Sequence, residues 1–253
     1  MRITSRERAG PLRAGPLLPD RARRPAAVVA ACGGLVTLLL GLLTAGAHRP
    51  DAIDRSVDSW IQARVGGHYS AMRALEAIAN PLELAVLTVL IVLACLAGRR
   101  VNGAALAVAS LAAVAGITDW VLKPSFGRTL HGALSYPSGH VASAFTLATV
   151  VVVLLLDVPR PVLRPAAKIA VAAAAALVGC AVGVGMIGLD YHYFTDTVGG
   201  AALGISLTLA AAFLLDLTLS RRPSNAHHEA PALPPPPGRP SGRGPQERRA
   251  PCG

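Results

Sequence analysis

The sequence has few charged residues and few cysteines, and each shortage excludes a class of protein. Only 15% of the 253 residues are charged, whereas 53% are hydrophobic and the mean hydropathy is +0.50. A water-soluble domain of this length is rarely so apolar. The four cysteines form no CxxC pair and no metal-binding spacing, so neither a disulfide framework nor a cysteine metal site is predicted. The composition indicates a membrane protein.

Six apolar runs approach the length that a helix needs to cross a bilayer. A hydrocarbon core of about 30 Å requires roughly 20 helical residues. Lipid offers no hydrogen-bond partners, so each run should pair its backbone internally as a helix. The runs cover residues 26–46, 81–98 (with an earlier start near 77 as an alternative), 101–122, 140–156, 169–189 and 197–217. The predicted fold class is therefore all-α, a six-transmembrane-helix bundle.

The distribution of positive charge predicts an orientation and three segments. With both termini in the cytoplasm, 18 of the 24 Lys and Arg residues lie on the cytoplasmic side of a plasma membrane. Residues 1–25 then form a basic cytoplasmic segment, residues 26–219 the membrane domain, and residues 220–253 a disordered Pro- and Arg-rich cytoplasmic tail. The net charge of +10 is explained by this topology and by contact with anionic lipid. No nucleic acid partner is predicted, because no basic folded domain remains to bind one.

Two segments leave alternatives open. The first run is either a secretory signal, since Ala45-Gly46-Ala47 resembles a cleavage site, or an uncleaved helix, which its length and the long basic segment before it favour. The second segment is "DAIDRSVDSWIQARV", residues 51–65. It is predicted to form an amphipathic helix that lies either in the membrane interface or packed on the bundle. Its apolar face would consist of Ile53, Val57, Trp60, Ile61 and Val65.

Ionisable residues gather in two loops that six helices place on the same extracytoplasmic side. Such groups are costly to desolvate at a membrane boundary, so several that converge indicate a site. Taken singly, three of them have simpler explanations. Lys123 can pair with Asp119 four residues earlier, His131 can be an ordinary loop residue, and Asp190 can cap a helix end. The full set is Lys123, Arg128, His131, His140, Asp190, His192 and Asp196.

Two histidines and one carboxylate supply the groups that nucleophilic catalysis needs. His192 and Asp196 are four residues apart and would share a face if a helix begins there. The carboxylate would hold one imidazole nitrogen and leave the other free to attack. His140, from another helix, would serve as the general acid.

The remaining polar groups of the two loops favour binding of an anion. Lys123 and Arg128 supply positive charge, and the turn that contains Ser138 and Gly139 opens a helix whose free N–H groups point outward. Positioning and charge neutralisation are what phosphoryl transfer requires. The two loops together therefore predict a phosphoryl-transfer site.

The motifs "KPSFGR", "PSGH" and "HYFTD" resemble the pattern of the type 2 phosphatidic acid phosphatase and haloperoxidase superfamily. That pattern is a Lys followed by Arg-Pro, then P-S-G-H, then S-R-x5-H-x3-D, and the resemblance covers residues 101–217. It implies that His192 is the nucleophile and forms a phosphohistidine, that Asp196 holds it, and that His140 protonates the leaving alkoxide. It also implies phosphate binding by Lys123 together with the Ser138 and Gly139 region, and no metal or other cofactor.

Two departures from the family pattern shape the functional prediction. Leu130 occupies the position of the first-part Arg, and Gly185-Met186 that of the third-part Ser-Arg. Loss of such a clamp can cost on the order of 10²–10³-fold in rate. Arg128 is therefore expected to be the main surviving phosphate clamp, with His131 as an auxiliary group.

Three functions compatible with these residues compete. The favoured one is a membrane phosphatase that hydrolyses prenyl or glycerolipid phosphates or diphosphates at the extracytoplasmic face. The second is a membrane protein that binds lipid phosphate with little or no turnover. The third is a vanadate-dependent peroxidase, against which the six spans and the missing clamp argue. The expected partners are a lipid phosphate substrate and membrane lipids.

Overall fold

The structure is a computed structural model that describes residues 16–156, 158 and 162–220. Long apolar helices account for most of these residues. Five helical spans are long and apolar enough to cross a membrane, one of them the continuous stretch Val101–Phe126. A sixth span results if the helices Tyr69–Ala77 and Pro81–Ala97, which meet at a 45° bend, are taken together. The prediction of an all-α membrane bundle is confirmed. The helices are α1 (Asp20–Leu43), α2 (Ala52–Val65), α3 (Tyr69–Ala77), α4 (Pro81–Ala97), α5 (Val101–Gly116), α6 (Lys123–Phe126), α7 (Gly139–Leu156), α8 (Pro165–Gly188) and α9 (Phe194–Ser220).

Several helix ends differ from the predicted segments by a few residues. α1 begins at Asp20 rather than at residue 26, and α9 continues through Ser220. The second run begins at Pro81 as predicted, whereas the alternative start near residue 77 falls at the end of a separate helix, α3; the ring of Pro81 is tolerated in the first turn of α4. The predicted basic segment up to residue 15 and the predicted tail beyond Ser220 lie outside the described residues.

The helix before Lys123 is locally underwound into a π-helix. Residues Ile117–Leu122 form this π-helical turn between α5 and α6, and such turns are frequent at functional sites. A small antiparallel hairpin follows, with β1 (Thr129–Leu130) paired to β2 (Ala133–Leu134). Its two turn residues, His131 and Gly132, have φ angles of 50° and 82°, as a type I′ turn requires.

α9 lies between α1 and α7, and close backbone approach makes both contacts possible. A Cβ at Gly33 of α1 would lie 2.9 Å from the carbonyl oxygen of Ala202 and would overlap Ser206 Oγ. On the other side of α9, a Cβ at Gly204 would overlap the carbonyl oxygen of Ala142 in α7. Small residues are typical of such tight helix contacts in membranes.

The ends of the bundle are held by different residues. At one end Asp216, near the end of α9, accepts hydrogen bonds from the backbone N–H groups of Leu17 (2.7 Å) and Leu18 (3.1 Å). At the other end the N–H of Gly46, after α1, donates to the carbonyl of Phe126 (2.8 Å). The loops between α6 and α7 and between α8 and α9 lie at this second end.

α2 forms a helix over the predicted segment and packs on the bundle, but the apolar pattern indicated its buried face only in part. The helix packs on α8 and α9, but it buries Asp54, Asp58 and Ile61, whereas Ile53 and Trp60 are 59% and 57% exposed. A periodicity argument assumes that carboxylates face water. Here the two carboxylates instead face the start of α9, where they accept hydrogen bonds from backbone N–H groups and, for Asp54, from Arg128.

Candidate active site

A pocket of about 490 Å³ lies at the end of the bundle where α5 and α8 end and α4, α7 and α9 begin. Four of the predicted site residues line it, namely Lys123, Gly139, His140 and His192. Its walls also include hydroxyl-bearing and apolar side chains from α4, α5, the hairpin and α8. The fold therefore brings together both predicted histidines and the predicted lysine.

His192 lies in the loop before α9, not on the helix as the spacing suggested. The turn nevertheless places its Nδ1 3.5 Å from Oδ2 of Asp196, which is fully buried. That distance is an ion-pair contact rather than a hydrogen bond, and catalytic contacts of this kind tighten when substrate binds. Asp196 Oδ2 also accepts the backbone N–H of Tyr193 at 3.2 Å. Because Nδ1 faces the carboxylate, Nε2 of His192 is the nitrogen left for the pocket.

His140 has polar partners that the sequence did not indicate. Its Nε2 lies 3.7 Å from Oε1 of Glu76 and 3.4 Å from Oδ1 of Asn80. Glu76 is buried, and its other oxygen contacts Arg73 at 3.1 Å. Each pocket histidine therefore faces a buried carboxylate. The available signal was a pair of polar residues, four apart, directly before the second apolar run.

The P-S-G-H turn is held on α1 by the tyrosine that precedes it. The Tyr136 side chain is fully buried, its hydroxyl donates to the carbonyl of Thr37 at 2.5 Å, and its ring meets Phe126 edge-on with centroids 5.4 Å apart. Burial raises the pKa of Tyr136, so its hydroxyl remains a donor at neutral pH. The N–H of Ser138 donates to the carbonyl of Asp196 at 3.0 Å, which ties the start of α7 to that of α9.

Lys123 both forms an ion pair with Asp119 and lines the pocket, as its two alternative explanations predicted. Its Nζ is 2.7 Å from Oδ1 of Asp119, so the ion pair with the residue four positions earlier is present. Both side chains also line the pocket. The positive charge of Lys123 therefore enters the pocket already accompanied by a negative one.

Three buried hydroxyl groups surround the same region. Thr118 and Ser135 line the pocket, and Ser138 lies directly before the first residue of α7. All three side chains are at most 2% exposed, and none of their hydroxyl oxygens makes a hydrogen bond to another described residue. They are available to donate to an anion bound beside the N-terminus of α7.

Arg128 lies behind the pocket rather than in it, which corrects its expected role as the phosphate clamp. Its side chain is fully buried, and its guanidinium binds Asp54, Asp196 (2.6 Å) and the hydroxyl of Thr195 (2.6 Å). It also stacks over the ring of Tyr193 at 4.4 Å. A guanidinium with no exposed surface and two carboxylate partners is not free to bind an anion in the pocket.

His131 also lies outside the pocket lining. Its Nε2 is 2.8 Å from Oδ2 of Asp190, and both side chains are more than half exposed. Asp190 is the left-handed residue that ends α8, with a φ of 58°, and the N–H groups of Asp190 and Tyr191 bond back to the last turn of that helix. The pair joins the hairpin to the end of α8, so His131 is not brought together with the histidines of the pocket.

The two positions where the family pattern has arginines are apolar and line the pocket. Leu130 and Met186 both contribute to its wall, and Met186 is only 2% exposed. The structure explains why glycine rather than serine stands at the neighbouring position 185. A Cβ at Gly185 would lie 3.0 to 3.2 Å from Leu75 and from the backbone of Met72 and Glu76. α3 therefore packs so closely on α8 that the serine of the pattern would not fit without a shift.

Among the described residues, no three His, Cys, Asp or Glu side chains are arranged to hold a metal ion. The sequence also did not indicate Asp54 and Asp58, which contact the first turn of α9 from α2. The sequence shows that Asp54 and Asp58 are four residues apart. It does not show that they bind backbone groups more than 130 residues away along the chain.

Comparison with known proteins was made on sequence and on structure. The model of the PAP2 superfamily matches residues 25–218. A search of curated proteins found no significant match. Among solved structures, the chain is similar to a transmembrane PAP2 type phosphatidylglycerolphosphate phosphatase from Bacillus subtilis, with a TM-score of 0.60 and 21% identity. The similarity covers 76% of this chain and 98% of the Bacillus protein.

Proposed function

Because the chain belongs to the PAP2 superfamily, we propose that it hydrolyses a lipid phosphate or diphosphate, without a metal ion, through a phosphohistidine intermediate. The observation that carries the proposal is the pocket itself, in which His192, backed by buried Asp196, lies with His140 and Lys123. The substrate would be a prenyl or glycerolipid phosphate. The Bacillus protein, a phosphatidylglycerolphosphate phosphatase of similar fold, supports the glycerolipid class.

The reaction would proceed in two displacements at phosphorus. In the first, Nε2 of His192 attacks the phosphorus atom, the bond to the lipid oxygen breaks, and His140 gives that oxygen a proton. In the second, His140 takes a proton from water, the resulting hydroxide attacks phosphorus, and the N–P bond breaks. Asp196 orients and stabilises the His192 imidazole in both steps.

The phosphate oxygens would be held mainly by neutral donors. Lys123 supplies one positive charge, the N–H groups at the start of α7 point toward an anion there, and the hydroxyls of Thr118 and Ser135 are available in the pocket wall. These groups would partly replace the guanidinium groups that Leu130 and Met186 do not provide. The arrangement predicts a slower enzyme than one with two arginines.

The second candidate function is binding of a lipid phosphate with little or no turnover. Among the described residues of the pocket wall, Lys123 is the only Lys or Arg, and it is paired with Asp119. A site of such low net charge would neutralise a phosphate dianion poorly in the transition state. This observation favours a binding protein over an efficient enzyme, and one assay separates the two.

The test is phosphate release by the full chain purified in detergent, without added metal and with a chelator present. The panel would contain a prenyl diphosphate, a prenyl monophosphate, phosphatidic acid and phosphatidylglycerol phosphate, beside a His192→Ala control. We expect release that the control lacks, an acid-labile phosphoprotein after rapid quenching, and a raised KM for Ser135→Ala. Equal release by His192→Ala would contradict the proposed nucleophile. No release by the folded wild-type chain would favour the binding protein.

The proposed setting is the extracytoplasmic face of the plasma membrane, with both termini in the cytoplasm. The pocket lies at the end of the bundle opposite to the contact between Asp216 and Leu17, and so opposite to where α1 begins and α9 ends. The basic segments of the sequence adjoin that other end, which agrees with the positive-inside rule.

A further inference from the structure

The start of α9 depends on carboxylates from α2. The first N–H groups of a helix have no partner within the helix and must find one elsewhere. The N–H of Phe194 donates to Oδ1 of Asp58 at 3.0 Å, and the N–H of Thr195 donates to Oδ1 of Asp54 at 2.9 Å. Asp196, the third residue of α9, itself accepts the N–H of Tyr193, as in a capping box. The turn that carries Asp196 is therefore fixed from outside by α2.

Arg128 connects Asp54 to Asp196. The rigid, planar fork of its guanidinium binds Oδ2 of Asp54 through one terminal nitrogen and Oδ1 of Asp196 through the other, the latter at 2.6 Å. All three side chains are fully buried. Since Oδ1 of Asp196 is held by Arg128, Oδ2 is left to face Nδ1 of His192. A displacement of the guanidinium would therefore displace the carboxylate that orients the imidazole.

The charges in this network explain why a second carboxylate is useful there. Arg128 carries one positive charge and is shared by Asp54 and Asp196. With Asp54 present, part of the guanidinium charge is directed away from Asp196, so that Asp196 keeps its negative charge available to the imidazolium that forms during catalysis. Without Asp54, Arg128 would neutralise Asp196 alone.

We propose that Asp54 is a positioning residue for the Asp196–His192 pair and acts through Arg128, an inference that rests on the proposed function. Asp54 does not line the pocket, so it does not touch the substrate. Its role is to fix the guanidinium and share its charge. α2 thereby becomes part of the active site, although it lies outside the residues that match the family motifs.

The test compares Asp54→Asn with wild type in the phosphate-release assay. The asparagine keeps the acceptor for the Thr195 N–H but loses the charge that binds Arg128. We expect kcat to fall roughly 10- to 100-fold, as for a misplaced catalytic group, with KM nearly unchanged. We also expect the acidic limb of the pH–rate profile to move to lower pH, because Asp196 would stabilise the protonated imidazole of His192 less.

Asp58→Asn is the matched control. It changes the same chemical group on the same helix, and Asp58 makes the same kind of bond to α9, but no contact with Arg128 joins it to the network. We expect wild-type kcat for this variant. Because the Asp58 carboxylate lies near the charges of Asp54 and Asp196, its own loss changes the pH–rate profile, and the comparison of the two variants therefore rests on kcat and KM at one fixed pH. Equal losses in both variants, together with equal losses in thermal stability, would reduce the role of Asp54 to a helix cap and overturn the inference.

A second variant keeps the test decisive if Asp54→Asn does not fold. Arg128→Lys retains the charge but cannot bind two carboxylates through a planar fork. We expect a similar fall in kcat with KM nearly unchanged, because the carboxylate of Asp196 would no longer be held in place by the fork. If the wild-type chain releases phosphate and Asp54→Asn and Arg128→Lys both keep its kcat, this inference alone is overturned. If the wild-type chain shows no turnover, the proposed function is overturned and the inference with it.

Discussion

At the scale of single residues, the region around the pocket is distinguished by buried carboxylates. Asp196 and Glu76 each face a pocket histidine, and Asp54 and Asp58 face the first turn of α9. A buried carboxylate is stable only when it is paired, hydrogen-bonded or protonated. Asp54 and Asp196 are paired with Arg128, whereas Asp58 receives one backbone hydrogen bond and, within the part of the chain that the structure describes, no cation. Asp58 should therefore be the carboxylate that binds a proton.

The first prediction concerns the pH dependence of stability that Asp58 causes. Burial, and then the nearby charge of Asp54, raise the pKa of Asp58 from 3.8 to about 7. Between about pH 4 and pH 7 the folded chain therefore holds a proton that the unfolded chain has released, so the free energy of unfolding falls as the pH rises through this range. Asp58→Asn removes this term but keeps an acceptor for the N–H of Phe194.

The measurement is thermal unfolding of both proteins in detergent at pH 5 and pH 8. We expect similar Tm values for the two proteins at pH 5 and a Tm that is a few °C higher for Asp58→Asn at pH 8. A change on the order of 1 kcal/mol in the free energy of unfolding shifts the Tm of a chain of this size by that amount. If the two proteins lost stability in parallel between pH 5 and pH 8, Asp58 would not be the group that titrates.

Residue types alone predicted the reactive part of the site better than its supporting part. His140, His192 and Lys123 were expected together because their motifs flank predicted spans on one side of the membrane, and all three line the pocket. The placement of Arg128 could not be predicted in this way. Whether an arginine faces the pocket or a buried carboxylate depends on Asp54, which is distant in sequence and lies on a helix whose packing no local pattern reveals.

At the scale of elements, the membrane helices and the existence of α2 were predictable, whereas α3 and the packing of α2 were not. Lipid imposes a length and a composition on every span, and these constraints are visible in any sequence. α2 and α3 are under no such constraint, and their orientation follows from contacts with α8 and α9. The apolar stripe of α2 did not predict the burial of Asp54 and Asp58, because that burial depends on partners at the start of α9.

The second prediction concerns the contact between α1 and α9. Gly33 and Gly34 are neighbours in α1, but only Gly33 faces α9, where a Cβ would meet Ala202 and Ser206. No atom lies within 4 Å of a Cβ at Gly34. Gly33→Ala should therefore lower the free energy of unfolding by roughly 1–3 kcal/mol, as overpacking does. Gly34→Ala should be neutral or slightly stabilising, because alanine favours a helix.

Thermal unfolding of the two variants in the same detergent would check this prediction. Each variant adds one methyl group to the same helix, so the difference between them isolates the helix contact. A Gly33→Ala protein as stable as Gly34→Ala would show that α1 is not held against α9. That result would also reopen the alternative that residues 26–46 act as a cleaved signal, which close packing of α1 argues against.

At the scale of the whole molecule, the two ends of the bundle differ in chemistry. One end carries the pocket and the carboxylate network, and among the described residues the other end carries Arg21, Arg23, Arg24, Arg99, Arg100, Arg164 and Lys168. A lipid phosphate would reach the pocket from the leaflet on that side, with its headgroup at the level of His140 and its tail in the bilayer. The orientation of the bundle therefore decides which leaflet supplies the substrate.

The third prediction concerns this orientation and uses single cysteines in a chain whose four native cysteines are replaced. Ser59→Cys would place a thiol on the exposed face of α2, at the pocket end, and Val162→Cys would place one between α7 and α8, where Val162 is 73% exposed. A membrane-impermeant maleimide should label Ser59→Cys in intact cells and Val162→Cys only after permeabilisation. Retained phosphate release would show that each variant is folded. The opposite pattern would place the pocket on the cytoplasmic side despite the charge bias, and the substrate would then come from the inner leaflet.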